Sequence, residues 1–261
     1  MTSPNRQDSG LPVVATVLAA ALLSAGCATG AGTATAPPRA AGANLSPAPT
    51  STAAPTRSPT AAAFPAYVVQ ARPAKMSIHT APGGPVSRTL GNPLPSGAPL
   101  SFLLAHRSGE WLQVYLPTRP NGSTGWVRAS EVTVAGLPYR LDVLQRAHQL
   151  RLYRFGKLVH TYPIAVGKAD TPTPGGTFYL KELIRPTNAG GFYGPYAFGL
   201  SGFSNALSSF GGGEAVIGLH GTNDESSIGR DVSSGCIRLH NADITALSKL
   251  LPLGTPVRIL A

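Results

Sequence analysis

The stretch Asp231 to Asn241 reads Asp-Val-Ser-Ser-Gly-Cys-Ile-Arg-Leu-His-Asn, and a little upstream Ala215 to Asn223 reads Ala-Val-Ile-Gly-Leu-His-Gly-Thr-Asn. A thiol becomes a strong nucleophile once a base or a cationic neighbour helps remove its proton. These two stretches supply both parts. Cys236 follows Ser233-Ser234-Gly235, small residues that favour a tight turn presenting a side chain. Successive backbone N–H groups in such a turn make an anion-binding nest, the arrangement needed to hold charge developing on a carbonyl oxygen. His220 closes an apolar run that reads as a buried strand and precedes a polar loop, so it stands where a base is useful. The alternative for Cys236 is burial as a small hydrophobe. His240, beyond apolar Ile237 and Leu239, reads as structural, and His79, His106, His148 and His160 lie in strand-like or surface patterns.

The elements that must position this pair read as strands. Gln149 to Ile164 alternates apolar and polar residues on either side of Phe155-Gly156-Lys157, which predicts a hairpin. Thr171-Pro172-Thr173-Pro174-Gly175-Gly176 must leave the sheet, because proline donates no ladder hydrogen bond. Residues 186–213, rich in Gly, Ser and aromatics, read as a compact lid over Cys236 or as a set of irregular strands. Apolar spacing at Ile244, Leu247, Leu250 and Leu251 predicts a short helix over 242–251, and Pro256 to Leu260 reads as an edge strand.

Residues 66–136 carry a different pattern of short alternating strands, such as Glu110 to Leu116, between Gly, Pro and Asn turns. Gly-Glu-Trp-Leu-Gln-Val with Thr-Gly-Trp-Val-Arg is similar to bacterial SH3-type modules; a β extension packing on the next domain is the alternative. Residues 1–27 have an apolar run, Val13 to Leu23, too short for the roughly 20 residues of a spanning helix but suited to a secretory segment. Its end, Leu-Ser-Ala-Gly-Cys, resembles a bacterial lipoprotein processing box, which makes Cys27 a lipidation site; a plain cleaved signal or an uncleaved anchor is the alternative. Residues 28–65 are almost all Ala, Thr, Pro, Gly and Ser, an extended tether with a reach on the order of 100 Å. The formal net charge of +10 on an exported chain suits an anionic envelope polymer or membrane surface, and no basic helix with interleaved aromatics argues for nucleic acid. With Cys27 in the processing segment, Cys236 is an unpaired thiol in an oxidising compartment.

Taken together, His220-Gly221-Thr222-Asn223, Ser227-Ile228-Gly229 and Ser233 to Asn241 closely resemble the signature of the L,D-transpeptidases, the YkuD-type catalytic domain. The likeness extends upstream to Gln149 to Tyr153, Val166-Gly167-Lys168 and Thr171 to Phe178. It implies a mainly β protein, in which an SH3-like β-barrel over 66–136 precedes a β-sandwich catalytic domain with a short helix over 137–261. It implies that Cys236 is the nucleophile and His220 its base, that the Gly221 carbonyl orients the imidazole, and that N–H groups near Ser234, Gly235 and Cys236 hold the oxyanion. Substrate contacts are expected from Ser233, Arg238, Asn223, Tyr193 and Tyr196. Arg238 is suited to a substrate carboxylate, with a salt bridge to Asp243 or Asp231 as the alternative. The implied substrates are peptidoglycan stem peptides, the location is the outer face of the membrane or the wall, and neither cofactor nor metal is implied.

Two other readings compete. A zinc peptidase would use His220, Asp224, Cys236 and His240, which lie on loops without a His-Glu-x-x-His helix. A non-catalytic wall-binding protein would rely on the β module and the positive charge.

Overall fold

Short period-two runs cut by Gly, Pro and Asn turns leave the chain few choices but strands. The computed structural model, which describes residues 66–261, is mainly β with one α-helix. The expected export segment with Cys27 and the tether lie outside the described residues.

The first part is a seven-stranded antiparallel sheet. Its strands are β1 (Ala66–Ala71), β2 (Lys75–His79), β3 (Val86–Gly91), β4 (Ser101–Ser108), β5 (Trp111–Tyr115), β6 (Thr124–Arg128) and β7 (Val132–Leu137), in the order β3-β2-β6-β5-β4-β1-β7. Alternation does what the sequence predicts on β5: Leu112 and Val114 turn inward to Val69, Met76, Ile78 and Phe102, while Trp111, Gln113 and Tyr115 face out.

The second part contains β8 (Tyr139–Leu144), β9 (Gln149–Arg154), β10 (Lys157–Pro163), β11 (Val166–Gly167), β12 (Gly176–Ile184), β13 (Ala197–Phe203), β14 (Ser209–Phe210), β15 (Gly213–Glu214), β16 (Val216–His220), β17 (Asp231–Ser233), β18 (Ile237–Arg238) and β19 (Pro256–Leu260). Eight of these form a mixed sheet in the order β10-β9-β8-β19-β12-β13-β16-β18. Helix α1 (Asn241–Leu250) lays Ile244 and Leu247 into a core shared with Leu219, Ile237, Leu239 and Phe198. Truncating either buried residue to alanine is expected to cost about 2–5 kcal/mol.

One sequence expectation is corrected and one open choice is settled. Pro256 to Leu260 is an interior strand, parallel to β8 on one side and antiparallel to β12 on the other. Val257 and Ile259 are buried accordingly, and proline is tolerated because it occupies the first strand position. Of the two readings of residues 186–213, the single lid gives way to the strands, because β13, buried along its whole length, runs through the middle between β12 and β16. What remains is a loop over 185–196 and a small β14–β15 hairpin.

Candidate active site

Strands β16 and β18 lie side by side and parallel, with Leu219 opposite Ile237 and His220 opposite Arg238. This register brings the end of the apolar run beside the turn that carries the thiol. His220 is fully buried, and its Nδ1–H donates to the Gly221 carbonyl at 2.6 Å. That bond leaves Nε2 as the acceptor, and Nε2 is buried with no partner among the described residues. Burial lowers the imidazole pKa to about 4, opposed by the Gly221 carbonyl and assisted by the charge of Arg238.

Cys236 follows Gly235, whose φ of 112° is open to glycine and hardly to any other residue. The Cys236 sulfur accepts the Gly218 N–H at 3.3 Å. Burial pushes the thiol pKa up, while that N–H and Arg238 pull it down without reversing the shift. Both members of the pair are therefore neutral at rest. They converge over Gly218: a side-chain carbon there would lie 3.3 Å from His220 Cδ2 and 3.5 Å from Cys236 Sγ.

The turn is braced from two sides. Ser233 Oγ donates to the Cys236 carbonyl at 2.5 Å and accepts the Gly235 N–H at 3.1 Å. Thr173 Oγ1, buried, donates to the Gly235 carbonyl at 2.9 Å and accepts the Gly167 N–H at 2.8 Å. The Gly235 N–H is thus already committed, which narrows the expected oxyanion donors to the N–H groups of Ser234 and Cys236, unpartnered among the described residues. A cavity of about 390 Å³ opens over the pair, lined by Cys236, His220, Tyr193, Phe210, Ile184 and Glu182 among others. A cavity of similar size, bordered by Tyr67, Leu103, Tyr139 and Arg258, holds neither thiol nor imidazole.

Comparison with known proteins bears on this geometry. The family model described as the L,D-transpeptidase catalytic domain, YkuD, matches residues 138–259. A candidate L,D-transpeptidase of Bacillus licheniformis, YkuD, is 40% identical over 154 residues, covering 56% of this chain and 85% of that protein. The chain belongs to the L,D-transpeptidase family. The corresponding Bacillus subtilis YkuD is 37% identical over 150 residues, covering 55% of this chain and 83% of that protein. Bacillus subtilis YqjB is 34% identical over 139 residues, covering 49% and 74% respectively.

Within this L,D-transpeptidase fold the other residues singled out from sequence fall into separate groups. Tyr193 lines the cavity, its ring 5.0 Å from the imidazole, and burial together with Cys236 raises its phenol pKa. Tyr196 does not line the cavity: it packs on the core, beneath Arg185, and its carbonyl accepts the Gly221 N–H at 3.3 Å. Asn223 is exposed and outside the cavity. Ser233 braces the turn, and Ser234 borders a small cleft with Cys236 and Phe192. Arg238 forms no salt bridge among the described residues; its guanidinium lies 4.8 Å over the Phe192 ring, its buried Nε has no partner, and Asp231 pairs with His148 instead. His240, just before α1, pairs with Glu225 rather than with Cys236 or His220, and among the described residues no three His, Cys, Asp or Glu side chains cluster as a metal site.

Sequence reasoning assigned no role to Asn241, Thr173, Phe192 or Glu182. Asn241 Oδ1 accepts the Thr222 N–H and its Nδ2 donates to the Thr222 carbonyl, both at 2.9 Å, which fixes the loop leaving His220. Gly194 nests on the same amide, since a side-chain carbon there would lie 2.3 Å from Asn241 Oδ1, and so the 185–196 loop is pinned at this point. Asn241 closes the Ser233 to Asn241 motif, which was the available signal.

Proposed function

We propose that the chain is an exported peptidoglycan L,D-transpeptidase with Cys236 as nucleophile and His220 as base. The observation that carries this reading is the approach of the Cys236 sulfur and the His220 ring edge to the same bare position, Gly218, with the imidazole Nε2 unpartnered among the described residues and a cavity open above. Cys236 Sγ attacks the carbonyl that joins the diamino acid at stem position three to the terminal D-Ala, while His220 Nε2 takes the thiol proton. Because both groups are neutral at rest, proton transfer accompanies attack instead of preceding it. The oxyanion rests on the N–H groups of Ser234 and Cys236. Its collapse breaks the C–N bond, His220 returns the proton to the departing amine, and a thioester remains. An amine of a neighbouring stem then attacks the thioester, giving up a proton to His220, and the sulfur leaves and is reprotonated. The product is a third-to-third crosslink. Arg238, beside the nucleophile, suits the carboxylate of the leaving D-Ala.

The same reading places the protein outside the membrane, with Cys27 lipidated, residues 28–65 as tether, and an SH3-like module over 66–136 that, with the net charge of +10, favours anionic envelope polymers. Fatty-acid label that survives Cys27→Ser would remove the anchor from this picture.

The deciding experiment incubates the full chain with defined stem tetrapeptides and weighs the products. Release of D-Ala with a crosslinked dimer is expected; hydrolysed tripeptide alone would make the enzyme a carboxypeptidase, and transfer to a protein amine would make it a wall-attachment enzyme. A carbapenem, whose strained carbonyl mimics the scissile one, is expected to add once to the protein, at Cys236, and not to Cys236→Ser, because a hydroxyl yields far less anion than a thiol. A folded protein that takes up no carbapenem and releases no D-Ala would falsify the enzyme reading.

A further inference from the structure

The floor of the active cavity is a single row across the sheet. Glu182 on β12 faces Gly199 on β13, Gly199 faces Gly218 on β16, and the Gly218 N–H meets Cys236 Sγ. Directly opposed residues point to the same face of a sheet. The row therefore has a carboxylate at one end, a thiol at the other, and two residues without side chains between them. The carboxylate bends over the first bare position, since a side-chain carbon on Gly199 would lie 2.7 Å from Glu182 Oε1. With the thiol over the second, the carboxylate oxygen and the sulfur are at most about 12 Å apart, given cross-strand Cβ spacings of about 5 Å. Arg238 stands on the far side of the sulfur, on β18. The site carries a guanidinium beyond the nucleophile and a carboxylate, itself paired through one oxygen with Lys181, up the trough.

Resting on the transpeptidase reading above, we infer that Glu182 determines donor specificity by receiving the side-chain ammonium of the diamino acid whose carbonyl Cys236 attacks. The nitrogen of such a side chain lies roughly 7 Å from its own carbonyl carbon when extended. With an attack distance of about 3 Å and a charge-assisted N–H···O bond of about 2.8 Å, the fully extended span slightly exceeds the interval, so a side chain bent a little from full extension bridges it. The charges at the two ends fit one orientation of the donor: leaving D-Ala carboxylate toward Arg238, side-chain amine toward Glu182. Lys181 Nζ lies 3.1 Å from Glu182 Oε1, and both side chains are largely buried. That pairing engages Oε1 and leaves Oε2 for the incoming amine. Burial raises the value of a charge-assisted contact over that of an exposed one.

The test uses the full chain and two donor tetrapeptides, one with the side-chain amine free and one with it acetylated, and reads D-Ala release. The wild type is expected to favour the free amine by at least tenfold in kcat/KM, mainly through KM. Glu182→Gln is expected to bring that ratio to within about threefold of unity, and Glu182→Asp, which keeps the charge, to retain most of the preference. A ratio cancels any general loss of active protein, and the aspartate variant covers a failure of the glutamine variant to fold. A wild type indifferent to acetylation, or a Glu182→Gln variant that keeps the full preference, overturns the inference while leaving the transpeptidase reading intact. No D-Ala release by the wild type from either donor overturns that reading, and this inference with it.

Discussion

Asn121 pairs with Phe203 as if it were an extra strand residue: the Phe203 N–H donates to Asn121 Oδ1 at 2.9 Å, and Asn121 Nδ2 donates to the Phe203 carbonyl at 2.7 Å. Beside it the Arg119 guanidinium donates to the carbonyls of Ser204 and Leu207 at 2.8 and 2.9 Å and lies 5.0 Å over the Phe203 ring. The β5–β6 loop thus holds the segment that leads from β13 into the β14–β15 hairpin, and Phe210 of that hairpin lines the active cavity. The double variant Arg119→Ala, Asn121→Ala removes these four bonds and a fifth, from Asn121 Nδ2 to Asn205 Oδ1 at 3.1 Å, of about 1 kcal/mol each before relaxation. Expected are a stability loss of about 2–4 kcal/mol in urea melts and a several-fold slower acylation by a carbapenem. Unchanged acylation would mean that the hairpin holds its place unaided.

His220 sets a pH dependence whose sign is fixed by its burial. Its pKa is about 4 in the folded chain and about 6.5 when exposed, so between those values the unfolded chain binds more protons. Stability from keeping this imidazole neutral is complete above pH 6.5, falls as pH drops through that window, and levels off below 4. Between pH 7.5 and 4.5 the wild type should lose about 2–3 kcal/mol more than His220→Gln in urea unfolding. The acid limb of acylation is likewise expected near pH 4, and a limb near 6.5 would show that the base is solvated in the working enzyme.

Strand faces were readable from period-two alternation, and so was the candidacy of Cys236 and His220, which the fold brings together over Gly218, because both sit where an apolar run meets a turn. Neighbours within the sheet were not. Alternation says which face of β19 is buried but not which strands flank it, and so Pro256 to Leu260 read as an edge. The aromatic and glycine composition of 186–213 left a lid and irregular strands undecided, and hid the place of β13, whose small residues let it lie buried on both faces between β12 and β16. Glu182 was invisible for the same reason: it belongs to the site only through two cross-strand pairings, and nothing local in Lys181-Glu182-Leu183 announces them.

Asn241 offers a test of support at one remove from the chemistry. Asn241→Ala leaves both polar backbone groups of Thr222 without their partners, at a cost of about 1–3 kcal/mol. It also frees the loop whose Gly221 carbonyl orients His220, so acylation should fall about tenfold. Asn241→Asp keeps the acceptor for the Thr222 N–H but loses the donor, and an intermediate rate is expected. Equal rates for all three proteins would assign Asn241 to stability alone.

Gly218 provides the sharpest separation of fold from chemistry. Its backbone is not in the left-handed region, so alanine fits the strand without strain, and its N–H remains free to reach Cys236. The added methyl, however, would press on His220 Cδ2 at 3.3 Å and fill the space beside Cys236 Sγ, 3.5 Å away, between the two groups. Displacements well under 1 Å matter at this step, since about 1 Å of misplacement costs on the order of a hundredfold. Gly218→Ala is therefore expected to melt within about 1 kcal/mol of wild type while its second-order acylation rate, followed by intact mass, drops at least tenfold. Gly199→Ala, one strand away, meets Glu182 and not the reacting pair. Its loss should appear in KM for stem peptides far more than in carbapenem acylation. If the two alanines gave the same pattern, the trough floor would be acting as one packing surface, without distinct nucleophile and recognition ends.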